Sequence, residues 1–274
     1  MSTTTETNEA YHADTSCIST SMLKLFRESI QKYYKRYVTK TEVEPPRKRE
    51  LTLGTLAHAA ILEPERWEKE FVSAPAWTRG NRRLLQKYTQ EFDGTGVTVV
   101  SYDDARAVTQ IAQAAQRVAG KLLALDGVVE QSIRVQDPET GLWMKIRPDK
   151  RLYVPERGLF VPALLDIKST YEPDERQFLF TAKRFLYALQ EVHYVEVVEL
   201  EYGVKCDFHF IVVQSKKPYD ARLYRMPDGW RQGAKALRRK LLRELAECYA
   251  SGKWNDRPSQ MEQQPVESET EVLW

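Results

Sequence analysis

Between residues 103 and 168 the spacing of apolar side chains changes from the helical period to alternation, and that change limits the fold classes open to the chain. Ala107, Ile111, Ala114, Ala115, Val118 and Leu122 recur at three- and four-residue intervals, which predicts a helix over about residues 103–125. Beyond it, residues 128–135 read as a strand, Asp137-Pro138-Glu139-Thr140-Gly141 as a turn, and residues 142–148 as a returning strand. After the turn PERG, residues 159–168 read as a third strand, so a meander is expected. A helix over about residues 173–198 follows, then strands 206–214 and 221–226 paired across SKKPYD. The final helix, about 228–251, sets Trp230, Ala234, Leu237, Leu241, Leu245 and Cys248 on one stripe and stops at Gly252. This order predicts an α/β (α+β) fold, a central mixed β-sheet flanked by helices.

The N-terminal part is mainly helical in prospect. Residues 1–15, rich in Thr, Ser and Glu, are expected to be disordered. Ser19 or Ser21 can cap a helix that carries Met22, Leu23, Leu25, Phe26, Ile30, Tyr33 and Tyr34 and runs to about Tyr37. KTEVEPPRKRE is a charged, proline-broken linker, LGTLAHAAILEP begins a second helix that stops near Pro64, and residues 73–98 read as a loop with a short helix. The organisation expected is one domain over residues 16–254, helical to 125 and sheet-centred from 126, followed by a flexible acidic tail over 255–274.

With 42% apolar residues among 274, the chain can bury a sizeable core. Its formal charge is +2, but residues 255–274 hold Asp256, Glu262, Glu267, Glu269 and Glu271 against Arg257, which leaves the body at about +6. That permits a polyanionic partner without demanding one. Cys17, Cys206 and Cys248 are widely spaced and lack CxxC pairing, which argues against a disulfide framework and a structural zinc site. The polar N-terminus has no apolar stretch of signal-peptide type and no run reaches membrane-spanning length, so a cytoplasmic, membrane-free location is expected.

Two apolar runs end in acids, one in Pro148-Asp149 and one in Asp166-Ile167-Lys168. Alternate strand residues share a face, so Asp166 and Lys168 project together while Ile167 turns to the core and can offer its carbonyl. Phosphodiester hydrolysis near neutral pH needs a metal that activates water and a cation near the charged phosphorane, and a hard ion such as Mg²⁺ is satisfied by few carboxylates. A lone DxK recurs by chance, and two solvated strand ends explain it as well. Four further features fit the metal reading: His58 on the second helix, Glu130 ending an apolar stretch, Gln190 and Tyr194 at i and i+4 on the helix after DIK, and Tyr187 beside them.

Taken in order, GTLAH, VVEQS, GLWMKIRPD, LLDIKST and YALQEVHY resemble the PD-(D/E)xK nuclease superfamily, and with YHADTSCISTSMLK its RecE-like (exonuclease VIII) branch, related to RecB-type nuclease domains and lambda exonuclease. The resemblance implies a restriction-endonuclease-like core with an N-terminal helical annex and a metal-dependent exonuclease that degrades linear duplex DNA from its 5′ end in recombination of phage type. It implies His58, Asp149, Asp166 and the Ile167 carbonyl as metal ligands, and Lys168 as the residue that positions water and stabilises the transition state. Glu130 would act through a metal-bound water, while Gln190 and Tyr194 would match a QxxxY motif that orients the site or touches the DNA backbone. Mg²⁺ is expected, with Mn²⁺ a comfortable substitute because of His58. Duplex DNA ends, a single-strand annealing protein and a ring-shaped homo-oligomer are the partners the resemblance implies. Asp166 stands where many members carry Glu, which leaves the number of metals open.

Other readings compete. An endonuclease or a CRISPR-adaptation-type nuclease on the same fold would usually carry a cysteine-bound iron-sulfur cluster, which three scattered cysteines do not supply. A non-catalytic DNA-binding protein would have little need of the acid-acid-lysine set. Arg79, Arg82, Arg83 and Lys87, interleaved with Trp77 and Tyr88, read either as a DNA-binding patch or as a solvated basic loop. Arg231, Lys235, Arg238, Arg239, Lys240 and Arg243 read mainly as the solvated face of the last helix, and His193, off the Gln190 and Tyr194 face, as structural.

Overall fold

The computed structural model describes residues 6–42, 53–152 and 163–256. Helix α1 (Asn8–Ala13) is capped by the Thr7 hydroxyl and buries Tyr11. Order there, where composition predicts disorder, is imposed from outside the segment. The buried Lys145 ammonium donates to the carbonyls of Tyr11 and Asp14 and stands 4.4 Å from the Tyr11 ring centroid. Residues 1–5 lie outside the described residues.

Ser19 is the cap of α2 (Thr20–Glu28), its hydroxyl accepting from Met22 N, and Met22, Leu23 and Phe26 are buried. The single helix expected to Tyr37 breaks at Ser29, whose backbone is extended (φ −156°). Ser29 ends α2 and caps α3 (Ile30–Tyr33), after which Tyr34–Val38 form a π-helical turn. Its hydroxyl also donates to Asp256 at 2.9 Å, and Trp254 stacks on Tyr34 at 5.0 Å. Asp256 is therefore part of the folded body and not of the expected tail, whose residues 257–274 lie outside the described residues, as do linker residues 43–52.

Next come α4 (Leu53–Leu62), which carries His58, and α5 (Pro64–Glu70), opened by a proline whose missing N–H no helical bond requires. The stretch expected as loop and short helix holds α6 (Arg82–Gln90) and is framed by a parallel pair, β1 (Phe71–Ser73) with β2 (Thr98–Val100). Ser101 caps α7 (Tyr102–Leu123), where Asp103 and Asp104 in the first turn favour the helix dipole.

The strand expected over 128–135 is two strands in different sheets, β3 (Gly127–Val129) and β4 (Ile133–Gln136). Glu130 separates them in the left-handed region, φ +49°, uncommon for a residue with a Cβ. Among the described residues β4 pairs only with β5 (Trp143–Ile146), across the expected turn. The chain then turns back at Pro148 and forms β6 (Lys150–Leu152), unforeseen in the sequence because two of its three residues are basic. Both basic groups find acceptors: Lys150 Nζ donates to the Leu123 carbonyl at 2.7 Å and Arg151 Nη2 to Gln131 Oε1 at 2.5 Å. Residues 153–162 lie outside the described residues, and the third expected strand is described as β7 (Ala163–Thr170).

Among the described residues one meander is thus replaced by a β4–β5 hairpin and a five-stranded sheet of order β3-β6-β7-β8-β9, in which β8 (Asp207–Gln214) runs parallel to β7 and β9 (Ala221–Tyr224) antiparallel to β8. A parallel pair needs a crossover. It is built from α8 (Glu175–Arg184) and α9 (Tyr187–Tyr202), where one helix is expected; Leu186 divides them at φ +54°. α10 (Asp228–Ser251) closes the body and ends at Gly252, φ +69°, the left-handed cap the sequence predicts.

Alternation along β7 sorts its side chains between two layers. Leu165 and Ile167 pack with Ala57, Ile61, Ile111 and Ala115 of α4 and α7, whereas Leu164 packs with Leu23, Phe26, Leu189 and Leu241 of α2, α9 and α10. Full burial of each leucine contributes roughly 1.5–3 kcal/mol, which fixes which face Asp166 presents. In the second layer Arg238 donates to His193 Nδ1 at 3.2 Å and pairs with Glu196, so it belongs to the buried α9–α10 interface and not to the basic surface expected for that helix. Burial, with Arg238 adding to it, pulls His193 down to about 3 and keeps it neutral. No described helix is long and apolar enough to cross a membrane.

Candidate active site

β6 begins at Lys150, opposite Leu165. One register step further sets Asp149 across from Asp166, and opposed residues in an antiparallel pair share a face. Asp149 replaces the missing ladder bond with its side chain: Oδ2 accepts from the Ile167 N–H at 2.6 Å. The N–H and C=O of a strand residue point to the same neighbour, so the Ile167 carbonyl turns toward the same gap.

From the opposite layer α4 brings His58, whose Nε2 is 2.7 Å from Asp149 Oδ2 and whose Nδ1 is 3.7 Å from Glu130 Oε1. Burial disfavours the imidazolium, but Asp149, with Glu130 and Asp166 behind it, outweighs burial and lifts His58 to about 9. Burial likewise works against the Asp149 carboxylate, and His58, Lys168 and the Ile167 N–H overcome it, holding Asp149 below its usual range.

Asp166 behaves oppositely. Its burial pushes it up, Lys168 pulls against that, and the neighbouring Asp149 adds to the rise. Oδ1 accepts from Gln190 Nε2 at 2.6 Å. Lys168 Nζ stands 2.6 Å from Oδ2 and satisfies that buried oxygen as a close, charge-assisted pair. Burial would discharge Lys168, yet the two carboxylates outweigh it and keep the ammonium charged.

Gln190 and Tyr194 do share the inner face of α9. The Tyr194 hydroxyl donates to the Arg147 carbonyl at 3.4 Å, two residues before Asp149, and burial raises its phenol well above the ordinary range, so it holds the chain rather than presenting itself outward. Glu130 is 41% exposed; its Oε2 accepts from Arg147 Nη2 at 2.9 Å, and its N–H donates to the Asp149 carbonyl at 3.1 Å. The structure therefore brings His58, Glu130, Asp149, Asp166, Ile167, Lys168, Gln190 and Tyr194 together. Arg79 lies in another part of the fold, paired with Asp103 at 3.0 Å, and Arg82, Arg83 and Lys87 are exposed on α6.

Sequence reasoning missed two members. Arg147, 10% exposed, tethers Glu130, and its only signal is its place in RPD. Lys24 reaches the site from α2, its Nζ 5.9 Å from the Tyr187 ring centroid; burial, then repulsion from Lys168, brings it to about 8 against the pull of Asp166. Nothing local marks it.

Among the described residues no three His, Cys, Asp or Glu side chains form a ready-made metal cluster. What the chain presents is an ion-paired network whose donor chemistry suits a hard divalent cation: two carboxylates, a carbonyl and an imidazole, with both Asp149 and Asp166 already facing cationic side chains.

A family model described as a PDDEXK-like domain of unknown function (DUF3799) matches residues 19–264. The chain belongs to this PDDEXK-like family. Pro148-Asp149, in the turn into β6, and Asp166-Ile167-Lys168, in the middle of β7, lie within the matched residues. A crystal structure from Eubacterium rectale, described as a candidate exonuclease, superposes with a TM-score of 0.54 over 98% of this chain and 97% of that one, at 16% identity, a likeness that speaks to the fold. No curated protein matches the chain. The superfamily and the architecture are those the sequence resemblance implies, and PDDEXK-like membership supports a nuclease.

Proposed function

We propose that this chain is a divalent-metal-dependent exonuclease of linear double-stranded DNA. One observation carries the reading: Asp149 from the turn into β6, Asp166, Lys168 and the Ile167 backbone from β7, and His58 from α4 meet at the point where β6 begins. A divalent cation, Mg²⁺ or Mn²⁺, would be held by Asp149, Asp166, the Ile167 carbonyl and His58 and would supply charge neutralisation and water activation. Asp166 is kept in place by Gln190, and Asp149 by Tyr194 through Arg147 and by Ile167. Lys168 stays protonated, so it serves as a cation beside the attacked phosphate and a donor to the attacking water, not as a base.

A 5′ starting end, action in recombination, a ring-shaped oligomer and an annealing partner are further parts of this proposal, taken from the resemblance to the RecE-like branch. An iron-sulfur nuclease is disfavoured because Cys17, Cys206 and Cys248 are separate free thiols, the first and last buried. The test is digestion of linear and covalently closed circular duplex DNA in Mg²⁺. Loss of the linear DNA alone is the result expected, with mononucleotides released first from the 5′-labelled end. Linearised circles would make the enzyme an endonuclease, and binding without any cleavage in Mg²⁺ or Mn²⁺ would overturn the catalytic reading.

A further inference from the structure

The turn between α8 and α9 places Leu186 in the left-handed region, φ +54°, where neither glycine nor asparagine relieves it. Strain of this kind persists when the surroundings demand it and gathers at functional sites. Its local consequence is that Phe185 and Tyr187, two positions apart, stack on each other at 6.2 Å with their planes 22° apart. Tyr187 points inward. Its ring lies 5.7 Å from Phe210 and 5.0 Å from Lys168 Nζ, with Lys24 Nζ 5.9 Å away. Phe185 points outward, half exposed, with the Arg184 guanidinium 5.4 Å from its centroid. An isolated exposed phenylalanine would need no explanation. This one extends a ring-on-ring path that starts at the lysine of the candidate site, and cations from α2, β7 and α8 flank the path.

A row of π faces bordered by cations matches a polynucleotide strand, whose bases stack and whose phosphates pair. The inward ring already has Phe210 and Phe185 against it, so the free platform is the outer one. We infer that Phe185 stacks a nucleobase of the cut strand next to the scissile phosphate, with Arg184 taking an adjoining phosphate. The inference rests on the nuclease reading for the word "cut" and on the geometry for the rest.

Binding of the full-length protein to a fluorescent 12-nucleotide DNA strand, in chelator so that nothing is hydrolysed, tests it. The strand is used intact and with one abasic site moved through each position. Phe185→Ala should weaken the intact strand about tenfold, and Phe185→Trp should retain the affinity. At one position an abasic site should weaken wild-type binding by the same factor and leave Phe185→Ala unchanged, the non-additivity of two groups in contact. If Phe185→Ala binds as wild type does, if the two losses multiply at every position, or if wild type binds no strand, the platform is refuted. Hydrolysis in Mg²⁺ is scored separately. Uncut DNA with the coupling present would remove the nuclease reading and leave the platform, whereas cut DNA without the coupling would remove the platform alone.

Discussion

Asp166→Asn and Lys168→Met should each lower DNA hydrolysis by a factor on the order of a thousand while leaving the circular dichroism spectrum of the folded chain unchanged. Loss of one group that stabilises developing charge in a dry site removes roughly a hundred- to a thousandfold in rate. Both side chains sit in such a site: Asp166 is buried and Lys168 is held between two carboxylates. Asn can still accept the Gln190 hydrogen bond, and Met fills the space of the lysine stem, so the fold has no large cavity to absorb. Gln190→Ala acts on Asp166 through orientation alone and should cause the smaller loss, about ten- to a hundredfold. Steady-state release of nucleotides from linear duplex by purified variants is the measurement. Activity of Lys168→Met within threefold of wild type would show that the lysine is not at the reacting phosphate.

The second large effect concerns His58 and pH. Its folded value, about 9, is above the unfolded value of about 6.5, so the stabilisation it brings is complete below pH 6.5 and is lost as pH rises through 9. For a side chain 24% exposed the size is on the order of 3 kcal/mol, shared with Asp149 as one interaction. Thermal unfolding of metal-free protein between pH 6 and 9.5 should therefore show a fall in Tm that the curve of His58→Asn lacks. A cationic imidazole cannot be a ligand, so divalent metal must displace its proton. Calorimetry at pH 7.5 in buffers of different ionisation heat should register close to one proton released per metal bound, and less in His58→Asn. No proton release from wild type would remove His58 from the ligand set.

Several parts of this site were open to reading from residues alone because they are local geometry. Asp166 and Lys168 face the same way because strands alternate, and Gln190 and Tyr194 because helices repeat; Ser19 and Gly252 announce helix ends by their own chemistry. What escaped depends on contacts distant in sequence. Glu130 and Leu186 break elements at left-handed positions that their residue types disfavour, so the break is enforced by Asp149 in one case and by the packing of Tyr187 in the other. α1 exists because Lys145 needs carbonyl acceptors, and β6 because Leu123 and Gln131 satisfy two basic groups that would otherwise forbid burial. Lys24 lies on a helix whose buried stripe is complete without it, and only the fold shows that it joins Lys168 and Tyr187.

The proposed site has a divalent cation held by His58, Asp149, Asp166 and the Ile167 carbonyl. Crystals grown with Mn²⁺ and measured at its absorption edge test it directly. The account predicts an anomalous peak about 2.2 Å from Asp149, Asp166 and the Ile167 carbonyl oxygen, with the His58 to Asp149 ion pair opened. A Mn²⁺ peak elsewhere, with that ion pair intact and Mn²⁺-dependent DNA hydrolysis retained by Asp166→Asn, would contradict it.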